Sequence, residues 1–204
     1  MSFSDFDLRR AVETFGLREE LGRDLFAAVE PVVPSEFLQT WLDEFVPVAL
    51  GVNSEKARSE YIITPVLVEV RRRVKGPANI LPGITLDVDR ERGLTGFCDF
   101  IITRSAEYFY LRGPLVAVVE AKREDLIAGL GQCVAEMVAI RLFNEREGND
   151  LPAVYGCVTS GTNWRFLRLA GTSLSIDRQE YYLRDVGKVI AILIHIIGPL
   201  VVAN

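Results

Sequence analysis

The chain has little of what zinc sites and acyl-transfer enzymes draw on: one histidine and three cysteines among 204 residues. That inventory cannot build a structural zinc cluster, and an odd cysteine count fits a reducing compartment better than a disulfide framework. Ser59 and Ser160 have no histidine within sequence reach, which removes the Ser-His-Asp solution. Positive charge is also short, with a net charge of -5 and a pI near 5.1. Coating of nucleic acid by bulk electrostatics is thereby excluded, and any phosphate binding must be local or shared with a partner. Residues 189–203 are strongly apolar but too short to span a bilayer, and they contain His195, Gly198 and Pro199. They read as a buried core helix, with His195 a core histidine rather than a base. The opening MSFSDFDLRR puts acids ahead of its first basic pair and has no apolar core, so it does not read as a secretory leader. A cytoplasmic protein without a membrane partner is the expectation.

What is present is a chain 49% hydrophobic, enough to bury one substantial core. Residues 5–50 carry apolar positions at helical spacing: Leu8, Val12 and Phe15; Leu21, Leu25 and Phe26; then Phe37, Leu38, Trp41, Leu42 and Phe45. Pro31 and Pro34 separate these helices, and Ser35 is placed to cap the third. Residues 1–52 are expected as a helical extension packed on a core made of residues 53–204. That core opens with a helix from Asn53 or Ser54, which Pro65 kinks or restarts. The helix ends in Arg71, Arg72, Arg73 and Lys75, which either complement its dipole or contact phosphate.

Ile84, Leu86 and Val88 alternate as in a half-exposed strand, and residues 97–103 (FCDFIIT) form the next. Residues 108–111 are expected as a return strand, before Gly113-Pro114 turns the chain into residues 115–122. After Lys122 the period becomes 3.6, through Leu126, Leu130, Val134, Met137 and Val138. Residues 153–159 then form a second buried strand, parallel to the first through that crossover helix. Strands at 164–169 and 173–176 and the apolar final helix follow. The fold class is α/β, a mixed central sheet flanked by helices with an N-terminal helical extension. Cys98, Cys133 and Cys157 lie on apolar elements and read as packing residues.

Residues 115–122, LVAVVEAK, organise the rest. An uninterrupted aliphatic strand can carry charge only where it leaves the core, and here the charge stands at its end. Alternation sends Glu120 and Lys122 to one side and Ala121 to the other. This is the only acid-x-Lys in the sequence. Asp99 lies on the strand expected to pair with it. Magnesium takes hard oxygen ligands and keeps several waters, so Asp99, Glu120 and the Ala121 carbonyl match its needs. Lys122 is then placed to orient an attacking water and offset charge on a phosphate. The bland alternative is a structural Glu-Lys pair at a strand end.

Across roughly residues 53–170 these features resemble the PD-(D/E)xK nuclease superfamily, whose fold is restriction-endonuclease-like. The likeness is nearest to the type I restriction subunit nuclease domain and related stand-alone proteins. It is carried by Glu60 in SEYIITPVL, Asp99 in GFCDFIIT, Glu120 and Lys122, and Gln132 in the following helix. By that resemblance Asp99 and Glu120 are metal ligands with the Ala121 carbonyl, Lys122 is the catalytic lysine, Glu60 an auxiliary helix acid that also reaches the metal, and Gln132 an active-site glutamine. The implied cofactor is Mg2+ or Mn2+. The implied partner is DNA, held by Arg71, Arg72, Arg73, Lys75 and Arg123. Two departures stand out: Cys98 replaces the proline before the acid, and Glu136 stands where one branch has a tyrosine. Glu55 and Glu69 compete with Glu60 for the helix-acid role, and Gln132 can equally belong to a solvated helix face.

The expected function is metal-dependent phosphodiester hydrolysis of DNA. The alternative is a weakly active or inactive nuclease fold serving as a nucleic-acid-binding or protein-interaction module. A structural helical partner protein is a third reading. The apolar N-terminal and final helices point to a homodimer or larger complex.

Overall fold

The structure, a computed structural model, describes residues 1–20 and 22–198. Among these, eight strands form one mixed sheet: β1 (Arg18–Glu20), β2 (Asn79–Asp89), β3 (Leu94–Thr103), β4 (Leu115–Ala121), β5 (Val154–Thr159), β6 (Asn163–Ala170), β7 (Ser173–Ile176) and β8 (Tyr181–Tyr182). The order is β1-β7-β6-β5-β4-β3-β2, with β8 pairing β6. The helices are α1 (Leu8–Phe15), α2 (Glu36–Val52), α3 (Glu55–Arg58), α4 (Thr64–Arg73), α5 (Leu126–Arg146) and α6 (Val186–Ile197), and a π-helical turn at Ser59–Ile63 joins α3 to α4.

The LVAVVEA strand is buried along its whole length because helices cover both its faces. Val116 and Val119 pack with Ile63, Val66, Val189 and Leu193 on one side. On the other, Leu115 and Val118 meet Cys133, Val134 and Met137 of α5. As expected, β4 and β5 are parallel, joined by the α5 crossover, while β2, β3 and β4 form an antiparallel meander. Helix α5 is long and apolar enough to cross a membrane by length and composition alone, and 67% of that apolar window is buried in the fold. All three cysteines are buried and free.

Ser35 caps α2 by accepting the Leu38 N–H. Pro65 falls in the first turn of α4, after the π-helical turn, so it restarts the helix where its missing N–H is harmless. The stretch 1–52 also supplies β1, which runs parallel to β7. Phe3, Phe6 and Phe15 join the α5-side core.

Three expectations fail for identifiable reasons. Residues 108–111 form no strand: the Glu107 carboxylate accepts the N–H groups of Tyr108 and Phe109, the donors a ladder needs. No helix forms around Leu25 and Phe26, because side chains from elsewhere engage that backbone: Lys188 Nζ donates to the Phe26 carbonyl at 2.7 Å, and Asp177 accepts from the Leu25 N–H. Leu21 lies outside the described residues. His195 is exposed rather than in the core, its ring edge-on to Phe26 at 6.1 Å. Helix α6 ends at Ile197, and the expected continuation through residues 199–203 lies outside the described residues.

Candidate active site

The strand register brings the acids together. Phe100 pairs with Val119, so Asp99 and Glu120 occupy the next step outward on adjoining strands. Asp99 Oδ2 accepts the Ala121 N–H at 2.8 Å, which fixes its carboxylate across the end of β4. One residue further, the Lys122 N–H donates to the Thr159 carbonyl at 2.7 Å, tying the lysine to β5. Lys122 Nζ then lies 2.5 Å from Glu120 Oε1 and donates to Gln132 Oε1 at 3.2 Å. Gln132 Nε2 in turn donates to Glu136 Oε1 at 3.0 Å. The lysine stem reaches this position because residue 129 is glycine. A Cβ there would stand 3.0 Å from Lys122 Cγ and 2.7 Å from Val158 Cγ1.

The electrostatics are those of a crowded acidic pocket. Burial and then the Asp99 charge push the Glu120 carboxyl up to about 7, against the pull of Lys122. Burial and then the Glu120 charge push Glu136 well above the usual carboxylate range. Burial opposes the Lys122 ammonium, but the charge and hydrogen bond of Glu120, with smaller contributions from Glu55 and Asp99, outweigh it and hold its pKa above the ordinary lysine value. Glu120 is 2% exposed, and Glu120 Oε2 and Glu136 Oε2 are buried without a hydrogen-bond partner.

Those orphaned oxygens bear on whether the site suits a divalent cation. Among the described residues no three His, Cys, Asp or Glu side chains gather as a ready-made ligand set. Two carboxylates and one carbonyl remain, a hard-oxygen set that leaves positions for water and phosphate, as magnesium prefers. Asp99, Glu120 and the Ala121 carbonyl fit on those grounds.

Asp99 and Ala121 stand at one end of a cleft of about 730 Å3 between the edge strand β2 and the helices α3 and α4. Glu55 and Glu60 both line it. Glu60 is paired with Lys56 at 2.8 Å, and the charge of Glu55 helps to raise Lys122. Glu69 is occupied elsewhere, accepting from the Ser35 N–H, the Ser35 hydroxyl and Arg73. Of the basic run, Arg71 and Arg72 line the cleft, while Arg73 is tied to Glu69 and to the Val33 carbonyl. Lys75 and Arg123 are exposed but do not line it. Glu136 is the residue that sequence reasoning passed over as a site member. The available signal was an acid one helical turn beyond Gln132, between Val134 and Met137 on a buried face.

No family model matches the chain, and no solved structure matches it. Over 126 residues, 62% of the chain, it is 32% identical to Crinkler effector protein 5 of Phytophthora infestans. The chain spans about a third (32%) of that protein's length. The similarity is distant and attaches no activity to the site.

Proposed function

We propose that the chain is a divalent-metal-dependent phosphodiester hydrolase of the PD-(D/E)xK type acting on DNA. One observation carries the proposal: Asp99 is fixed across the end of β4 beside the pair of Glu120 and Lys122, and Asp99 lines a cleft that Arg71 and Arg72 also line. Asp99, Glu120 and the Ala121 carbonyl hold the cation, and Lys122, steadied by Gln132, presents its ammonium to the phosphate and the attacking water. When bound there, magnesium or manganese supplies polarisation of the phosphate and acidification of water. Arg71 and Arg72 offset backbone charge along the cleft.

A second reading has its own support. Lys122 already neutralises Glu120 directly, and a ready-made cluster of three ligands is missing among the described residues. Both features suit a fold that binds nucleic acid without cleaving it. Cleavage of plasmid and oligonucleotide DNA with magnesium or manganese, wild type against Lys122→Ala, separates the two. The hydrolase proposal expects metal-dependent cleavage that the variant loses. Equal, vanishing rates for both proteins favour the binding module.

A further inference from the structure

The loop between β3 and β4 carries an unusual load. Tyr108, Phe109 and Tyr110 are consecutive and 68%, 84% and 58% exposed, a large apolar area to leave in water. The rings of Tyr108 and Phe109 lie 4.6 Å apart, and the loop beneath them is held in place rather than loose. Glu107 accepts the N–H groups of Tyr108 and Phe109, and Asn79 Nδ2 donates to the carbonyls of Ser105 and Glu107 at 3.0 and 3.1 Å. Asn79 is also a wall of the cleft that contains Asp99. Along β2 the cleft wall runs from Gly83, beside Asp99, back to Asn79, roughly 13 Å at the usual rise per strand residue. The aromatic loop therefore stands at one end of the cleft and Asp99 at the other, with Arg71 and Arg72 on the helical side.

We infer that Tyr108, Phe109 and Tyr110 form a base-stacking platform, and that the cleft takes a single strand of nucleic acid laid from this platform to Asp99. The lining acids Glu55, Glu60 and Asp99 are matched by Lys56, Arg71 and Arg72, so it is the placement of charge that selects the occupant. Lys56 neutralises Glu60, the guanidinium groups of Arg71 and Arg72 on α4 suit a phosphate backbone, and exposed π-faces at the far end suit bases. Unpaired bases are required, because a duplex keeps its base faces inside its own stack. The inference deepens the hydrolase proposal by naming its substrate class, and it rests on that proposal for the direction of the strand. Binding measured without metal keeps the two separable.

The test is fluorescence anisotropy in EDTA with labelled oligothymidylate and with a blunt DNA duplex. The variants are Phe109→Ala, the triple Tyr108→Ala/Phe109→Ala/Tyr110→Ala, and Arg71→Ala/Arg72→Ala. Wild type should bind the single strand more tightly than the duplex. Phe109→Ala should weaken the single strand by at least about fivefold and leave the duplex unchanged, with a larger loss in the triple variant. The salt slope of binding should be unaltered in the aromatic variants and should fall by about 0.7 for each arginine removed. Because all three rings are exposed, thermal unfolding should not change, which guards against misfolding. Unchanged affinity in a folded triple variant, equal loss on duplex and single strand, or no single-strand binding by wild type overturns the inference. Wild type that binds through the aromatic loop but cuts nothing with magnesium or manganese leaves the platform standing and removes the hydrolase.

Discussion

Replacing Glu120 by glutamine should flatten the pH dependence of folding in a window that few other groups share. The folded protein holds this carboxyl at about 7, against 4.5 for the unperturbed group. Between those values the native state keeps a proton that the unfolded chain has released. Stability must therefore fall as pH rises through the window and level off above it. At about 1.36 kcal/mol per unit the accumulated loss is roughly 3 kcal/mol. Glu136 shifts in the same direction for the same reasons and extends the decline. Glu69 is shifted downward despite its burial, because Ser35 and Arg73 hydrogen-bond its charged form. Its contribution is lost only as pH drops below the ordinary carboxylate range, outside this window. Urea unfolding, followed by the fluorescence of fully buried Trp164 from about pH 5 to about pH 8, should show the wild-type midpoint falling by about 1 M. Glu120→Gln should show a smaller fall, leaving only the part due to Glu136. Near the top of that range, magnesium at 100 times its Kd should restore about 2.7 kcal/mol to wild type and nothing to the variant. A wild-type protein that gains stability across the window, or a variant that declines as steeply, refutes the electrostatic account of the site.

Asn144→Ala should destabilise the fold by about 3 kcal/mol in the same urea assay, because Asn144 both accepts the Leu115 N–H at 2.8 Å and donates to the Leu115 carbonyl at 2.7 Å in a buried setting. Gly131→Ala should push α1 off α5, since its Cβ would fall 2.1 Å from the Asp7 carbonyl carbon. The expected loss is about 2 kcal/mol or more, with faster amide exchange across Leu8–Phe15 than elsewhere.

The sequence exposes the core of the fold because its signals there are local. An aliphatic run followed by a 3.6-residue period, then a second apolar run, specifies the parallel β4-α5-β5 unit with few alternatives, and the structure has it. The N-terminal third is less legible. Leu25 and Phe26 have helical spacing, yet Lys188 and Asp177, more than 150 residues away, take up the backbone polar groups there. Apolar spacing carries no trace of a partner that distant. β1 is equally hidden: three residues reading Arg-Glu-Glu become a strand only because the edge of β7 is available, with Glu20 accepting from Ser173 and Ser175. Residues 108–111 fail in the opposite direction. Their aromatic content is strand-like, but the single carboxylate of Glu107 diverts the donors.

At the site, the sequence identifies Asp99 and Glu120 on the strands, Lys122 after β4 and Gln132 on the helix but misses the helix acid Glu136, and the reason is charge accounting. Glu120 stands near the end of β4 and Asp99 within β3, and on each strand a charged side chain interrupts an apolar pattern and draws notice. Glu136 interrupts a helix whose apolar positions run almost all round, so no clean face marks it as turned toward β4. Yet the Glu120 charge raises Glu136, the Asp99 charge raises both glutamates, and Lys122 is the cation that answers Glu120. With all four groups ionised the ensemble carries two negative charges, which a buried setting does not hold without protons or a counter-ion. A doubly charged cation supplies that balance without protonating either glutamate. The same excess that makes the site costly as a structural Glu-Lys pair therefore supports its reading as a metal site. Glu136 then raises the local demand for a cation, while Gln132 accepts from Lys122 and donates to Glu136, linking the two.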